Sequence, residues 1–208
     1  MERGSEDSFF LIGVSHKTAP VEIREKLSLD GDSLATVSAD IRGIEGVSGC
    51  VVLSTCNRTE VYAAVRIHPE LCGHNPGTPV RKPGISARER IRDRLIRLSG
   101  PEGEVAEHLY TYEGKGAVAH LFRVVSGLDS LILGEPQILG QVKNAYSLAC
   151  DRKTTCTAVN RLFHHAFRVG KLIRNLTSIS EGTVSVSFAA VELSRRIFGD
   201  LTGRAEGQ

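Results

Sequence analysis

The amino-acid sequence predicts an α+β protein whose strand-rich first half gives way to helices. Two observations carry this. Up to about residue 112, short apolar runs rich in β-branched residues are broken by single amphipathic stretches, whereas from Gly114 onward apolar residues recur at steps of three and four. The length, 208 residues and 22.5 kDa, suits one domain or two small ones with a real core.

Each element follows from its local pattern. Residues 8–15 form a compact apolar run with strand character, and the polar turn His16-Lys17-Thr18-Ala19-Pro20 ends it. Asp32-Ser33 can cap a helix over 33–44, in which Leu34, Val37, Ile41 and Ile44 share a face. Residues 47–53 and 60–67 read as two strands of a hairpin with Asn57-Arg58 in its turn. Four prolines and three glycines mark 68–84 as a surface loop. Ser86-Ala87-Arg88-Glu89 is a capping box opening a helix with Ile91, Leu95 and Leu98 on its apolar face, which Gly100-Pro101 stops. A weak alternation over 108–112 gives a fourth strand. The resulting order, β-α-β-β-α-β, is that of a ferredoxin-like subdomain.

The remainder reads as a helical subdomain. Glu135-Pro136 suits a helix start, with Ile138, Val142, Ala145 and Ala149 as its buried stripe. The next helix, 157–177, carries Leu162, Ala166, Val169, Ile173 and Leu176 on one side and Arg161, His164, His165, Arg168 and Lys171 on the other. A last helix is expected over 185–198, before Gly199-Asp200-Leu201-Thr202-Gly203. The expected divisions are 8–112 as the α/β subdomain with the chemistry, 113–177 as the helical subdomain completing a pocket, and 178–208 as a linker helix.

Composition excludes several classes. Hydrophobic residues at 41% and charged residues at 24% are ordinary globular usage, not that of a disordered chain. Lys+Arg 26 against Asp+Glu 24 leaves a formal charge of +2, too balanced for nucleic-acid binding by bulk charge, so any RNA contact must be local. The longest apolar run, Phe9 to Val14, is far short of a membrane span, and nothing at the N-terminus resembles a signal peptide, so a cytoplasmic protein is expected. Five cysteines without regular spacing read as thiols, not a disulfide framework. No metal site is expected, because Cys72-Gly73-His74 lacks a second ligand pair.

Cys56 is the most informative thiol. It ends an apolar strand at a tight turn, with Arg58 two residues on as a cation able to favour the thiolate. The alternative is a small buried hydrophobe, as free cysteines commonly are. Gly114-Lys115-Gly116-Ala117-Val118-Ala119 matches G-x-G-x-x-A, with Glu135 19 residues beyond Gly116. The preceding stretch, Glu107 to Tyr112, is polar and alternating, unlike the buried parallel strand a dinucleotide fold requires. His120 lies on the first helix of the second half, and Gln137 and Gln141 share a helix face.

Four blocks together resemble the N-terminal catalytic region of the glutamyl-tRNA reductase family. They are Gly13-Val14-Ser15-His16-Lys17-Thr18-Ala19-Pro20 with Arg24-Glu25-Lys26-Leu27; Leu53-Ser54-Thr55-Cys56-Asn57-Arg58-Thr59-Glu60; His120-Leu121-Phe122-Arg123 running through Ser126-Gly127-Leu128-Asp129-Ser130; and Gly134-Glu135-Pro136-Gln137-Ile138-Leu139-Gly140-Gln141-Val142-Lys143. A fifth, residues 183–190, resembles the segment before the family's nucleotide domain. The resemblance implies that Cys56 attacks the ester joining glutamate to the tRNA 3' end, giving a thioester that NADPH reduces to glutamate-1-semialdehyde, the first step of tetrapyrrole (5-aminolevulinate) biosynthesis. Cysteine suits both steps, being a good nucleophile whose thioester accepts hydride readily.

By the same resemblance Thr55, Asn57, Arg58, Ser130, Glu135, Pro136, Gln137 and Gln141 surround the aminoacyl group, with Arg58 on the γ-carboxylate and Glu135 on the ammonium. His120 is expected to assist proton transfer to the leaving ribose oxygen. Implied partners are glutamyl-tRNA and the next enzyme, glutamate-1-semialdehyde aminomutase. Family members dimerise through a long helix beyond their NADPH-binding domain. Since the sequence given ends at Gln208, it is expected to be monomeric, to form the thioester and to lack its own hydride donor. The basic helical face is the expected tRNA contact. The competing class is a non-catalytic RNA-binding ferredoxin-like module, against which the 5% aromatic content counts.

Overall fold

The computed structural model describes residues 7–66, 86–100, 103–177 and 179. The strands are β1 (Asp7–Ser15), β2 (Val47–Thr55), β3 (Arg58–Arg66) and β4 (Tyr110–Glu113); the helices are α1 (Val21–Lys26), α2 (Gly31–Arg42), α3 (Ala87–Leu98), α4 (Lys115–Val125), α5 (Gln137–Asp151) and α6 (Thr157–Leu176). The sheet order is β2-β3-β1-β4 with every neighbouring pair antiparallel. This is the ferredoxin-like arrangement expected from the element order, and α4–α6 supply the expected helical part. The expected loop over 68–84, the helix over 185–198 with its glycine-rich end, the block 183–190 and the division 178–208 lie outside the described residues.

Both sheet faces are covered, which explains why the strands are apolar runs and not a clean alternation. Phe10, Ile12, Cys50, Val52, Val61, Ala63 and Val65 pack under α2 and α3, through Val37, Ile41, Ile91 and Leu95. Leu11, Val51, Leu53, Tyr62 and Ala64 face the other way, onto α4, α5 and α6. An RNA module that stacks bases on an open sheet face therefore has no such face here.

Several boundaries differ from expectation for local reasons. The first long helix starts two residues early because Asp30, not Asp32-Ser33, caps it: Asp30 N–H donates to Ser33 Oγ and Ser33 Oγ to Asp30 Oδ1. The short helix α1 escaped the periodicity because a single turn offers one buried residue, Ile23. Arg58 is not in the turn but opens β3. The fourth strand starts at Tyr110, since residues up to His108 close a 3-10 turn over Glu104–Glu107. Pro136 is the residue before α5, not its first. In α6 the buried stripe is Val159, Leu162, Phe163, Ala166 and Gly170; the helix outruns the sheet, so Leu176 is 74% exposed and Val169 and Ile173 are only half-buried.

The edge of β2 is closed by the connection between α5 and α6. Cys50 N–H donates to Thr154 O at 2.8 Å, and Thr154 Oγ1 returns a bond to Cys50 O at 3.2 Å. Gly49 permits this approach, because a Cβ there would stand 2.6 Å from Cys156 N and 2.8 Å from its Sγ. Gly49→Ala is expected to cost about 1–3 kcal/mol by overpacking against backbone. Thermal unfolding checks this, at about 2–4 °C of midpoint for each kcal/mol in a chain of this size.

Candidate active site

The tip of the β2–β3 hairpin is a two-residue turn, Cys56-Asn57, fixed by its neighbour. Thr55 pairs with Arg58 across it, and Thr55 Oγ1 accepts from the N–H groups of Asn57 and Arg58, both at 3.2 Å. Further contacts pin the hairpin end: Leu29 N–H donates to Ser54 Oγ and Thr59 Oγ1 to Leu27 O. On the other side, His16 N–H donates to Asn57 O at 2.9 Å, so the turn after β1 lies against the tip. The result is an exposed thiol on a rigid support.

Directly behind the tip a charged network is buried. Arg58, Glu60 and Tyr62 alternate along β3 and so share the face toward α4–α6. Arg58 is 1% exposed, with Nη1 donating to Glu60 Oε1 at 2.9 Å and Asp129 Oδ2 at 3.1 Å, and Nη2 to Asp129 O at 2.5 Å. Glu60, fully buried, also accepts from Tyr62 OH at 2.5 Å and from Tyr110 OH, and lies 2.8 Å from His120 Nε2. Gly13 makes room for it, since a Cβ there would meet Glu60 Cγ at 2.9 Å. Asp129 gathers Lys17 Nζ at 2.5 Å and Arg123 Nη2 at 3.1 Å as well.

The electrostatics follow from these contacts. Burial alone would push the Glu60 carboxyl up, but Arg58, His120 and the Tyr110 hydroxyl outweigh it and hold the carboxyl at about 2. Asp129 is held below the usual carboxylate range in the same way: burial opposes ionisation, and Lys17 and Arg58 overcome it. Burial raises the Tyr110 and Tyr62 hydroxyls, reinforced by the Glu60 charge they bond to. His16 is lowered, first by burial and then by Arg58 and Lys17, and its Nδ1 is buried with no hydrogen-bond partner. Ser130 Oγ is a second buried polar atom without a partner. Three cations, Lys17, Arg58 and Arg123, thus meet the two carboxylates of Glu60 and Asp129.

Two expected roles change on this geometry. Arg58 is not a free guanidinium beside the thiol, because it is buried and both its terminal nitrogens are bonded to Glu60 and Asp129. His120 turns Nε2 inward to Glu60 and lies between Tyr112, stacked at 5.0 Å, and Tyr110 at 5.6 Å, so this nitrogen does not face a leaving group. Thr55, Asn57 and Arg58 are brought together at the tip, and Ser130 follows Asp129. Glu135 is half-buried; its carbonyl and that of Pro136 each accept from Arg174 at 3.0 Å. Gln137 is exposed and Gln141 half-buried, and neither makes a hydrogen bond to the hairpin among the described residues. Glu60, Asp129, Lys17 and His16 are the residues that sequence reasoning left without a role. An arginine and a glutamate two apart in an otherwise apolar strand were the available signal.

The family model for the glutamyl-tRNAGlu reductase N-terminal domain matches residues 12–177. The chain belongs to the glutamyl-tRNA reductase family. It is 47% identical over 198 residues to the glutamyl-tRNA reductase of Syntrophotalea carbinolica, covering 95% of this chain and 41% of that protein. With the Akkermansia muciniphila glutamyl-tRNA reductase it shares 41% identity over 192 residues, covering 92% of this chain and 52% of that one. The solved glutamyl-tRNA reductase from Methanopyrus kandleri superposes with a TM-score of 0.64 at 35% identity, over 92% of this chain and 40% of that chain. The chain thus spans about two fifths to one half of the length of these relatives. Within this glutamyl-tRNA reductase N-terminal domain no helix among the described residues is long and apolar enough to cross a membrane.

The Gly114 loop does not fit a nicotinamide dinucleotide. It follows β4, an exposed strand antiparallel to β1, and Gly114 N–H closes onto Phe9 O. No parallel strand feeds a helix N-terminus there, as a dinucleotide fold requires.

Proposed function

We propose that this chain carries out the acyl-transfer half of the glutamyl-tRNA reductase reaction. The Cys56 thiolate attacks the ester carbonyl of glutamyl-tRNA, a C–S bond forms, the C–O bond to the ribose breaks, and the thiol's proton finishes on the ribose hydroxyl. The observation that carries this is an exposed cysteine on a fixed hairpin tip, backed by the buried Arg58, Glu60 and Asp129 and flanked by the half-exposed cations Lys17 and Arg123. The NADPH-dependent reduction to glutamate-1-semialdehyde, at the start of tetrapyrrole biosynthesis, is proposed for the family reaction as a whole; the chemistry of the described residues ends at the thioester.

The roles we assign are these. Thr55 shapes the turn and Asn57 ties it to His16. Arg58, Glu60 and His120 are positioning residues that hold β3, α4 and the 127–130 turn in one arrangement. By the family resemblance, Ser130 and Glu135 supply polar groups for the aminoacyl moiety, Glu135 for its ammonium, and Pro136, Gln137 and Gln141 also surround it. His16, kept neutral at pH 7, accepts the thiol proton. His16→Gln is therefore expected to slow acylation by about 100-fold or more and to remove the fall in rate that His16 protonation causes on the acid side of pH 6.5. An unchanged profile would remove that role.

Intact-mass analysis of the chain mixed with glutamyl-tRNA tests the proposal. One glutamyl group released by hydroxylamine and mapped to Cys56 is expected; a chain that binds the tRNA and gains no mass would fit an RNA-binding module instead.

A further inference from the structure

Charge is spread unevenly along this chain. Between residues 136 and 177 there are seven lysines and arginines and one acid, Asp151, although the whole sequence carries only +2. The excess concentrates on α6, a 20-residue helix without a carboxylate. Arg161, His164, His165, Arg168 and Lys171 are all exposed. Their spacing keeps them within about a third of the helix circumference, over about 15 Å of its length.

The contrast with α3 is informative. There three of the five arginines are paired, Arg88 with Glu113, Arg90 with Glu45 and Arg94 with Asp40, and the helix carries two acids of its own, Glu89 and Asp93. On α6, among the described residues, Arg161, Arg168 and Lys171 enter no ion pair. The opposite side of α6 is packed into the core through Val159, Leu162, Phe163 and Ala166, and Tyr146 OH meets His164 Nε2 at 3.1 Å. The row is therefore rigid and points outward. Arg168 and Lys171 repel one another at this spacing, so the fold gains nothing from the row.

We infer that the outer face of α6 is an RNA-phosphate surface, with Arg161, Arg168 and Lys171 as its phosphate contacts. This rests on the acyl-transfer proposal, which supplies the polyanion: the glutamyl group arrives on a tRNA. Arg161, Arg168 and Lys171 are flexible cations that read phosphate and not base edges, so the contact is independent of sequence. It holds the body of the RNA while the hairpin tip deals with its aminoacylated end.

The test uses Arg161→Gln, Arg168→Gln and Lys171→Gln together, with Arg88→Gln, Arg90→Gln and Arg94→Gln on α3 as the control. Glutamyl-tRNA affinity is measured across a salt series, and Cys56 acylation is followed with both glutamyl-tRNA and a small activated glutamyl ester. The α6 variant is expected to bind tRNA about 10- to 100-fold more weakly, with the slope of log affinity against log salt shallower by about 2–3. It should keep its acylation rate with the small ester, and the α3 control should bind as the parent does. Unchanged tRNA affinity, a fall with no change of slope, or an equal fall in the α3 control would overturn the assignment. So would salt-dependent capture of phosphatidylserine vesicles in place of tRNA, which would make the face a membrane surface. If the parent acylates with neither substrate, the acyl-transfer proposal fails on its own, while the salt slopes still report on α6.

Discussion

Cys56→Ser should abolish the glutamyl adduct and leave tRNA binding intact. The substitution removes one sulfur from an exposed turn position, so the hairpin, its Thr55 bonds and the network behind β3 all persist. What it removes is the nucleophile: at neutral pH a serine hydroxyl is almost wholly un-ionised and holds its proton far more tightly than a thiol. The acylation rate is expected to fall by about four orders of magnitude or more, the scale seen when a covalent nucleophile is removed. Intact mass after incubation with glutamyl-tRNA, alongside affinity for the same tRNA, measures both halves of this prediction. An adduct that persists on the serine variant at the parent rate would place the chemistry at another residue.

The second large effect concerns Glu60. Replacing this carboxylate by its isosteric amide leaves Arg58 buried with Asp129 as its remaining acidic partner and weakens the bonds to His120, Tyr62 and Tyr110. Breaking a buried ion pair from one side costs about 3–5 kcal/mol, so Glu60→Gln should lower the thermal midpoint by about 6–20 °C. The pH dependence has a definite sign. The carboxyl sits at about 2 in the folded chain against an ordinary 4.5, so its stabilisation is complete above about pH 4.5 and is lost as pH falls toward 2. Asp129, also lowered, acts in the same direction. Denaturation followed between pH 6 and 2 should therefore show a steep decline in the parent and a shallower one in Glu60→Gln; parallel curves would mean that Glu60 is not the titrating group.

Much of this architecture was legible in the residues because each signal was local. The capping box at Ser86, the 3.6 period of α5 and the apolar runs of β1 and β2 needed only neighbours in sequence. The prominence of Cys56 was equally local, a thiol where an apolar strand meets a tight turn. What stayed hidden depended on partners far along the chain. Arg58 read as an available cation because nothing nearby in sequence says that Asp129 will fold over it. Glu60 looked like an ordinary polar strand residue until Tyr62, Tyr110 and His120 converged on it. The outer end of α6 looked buried because periodicity reports a face but not how far the sheet beneath it extends.

The salt bridges behind Cys56 span 71 residues for Arg58 to Asp129 and 112 for Lys17 to Asp129. During synthesis, therefore, Cys56 leaves the ribosome well before Asp129, His120 and Tyr110, the distant members of the network behind it. For that interval the nascent chain carries the Cys56 sulfur without Asp129, and the Asp129 ion pairs behind it form only once residues 127–130 have emerged.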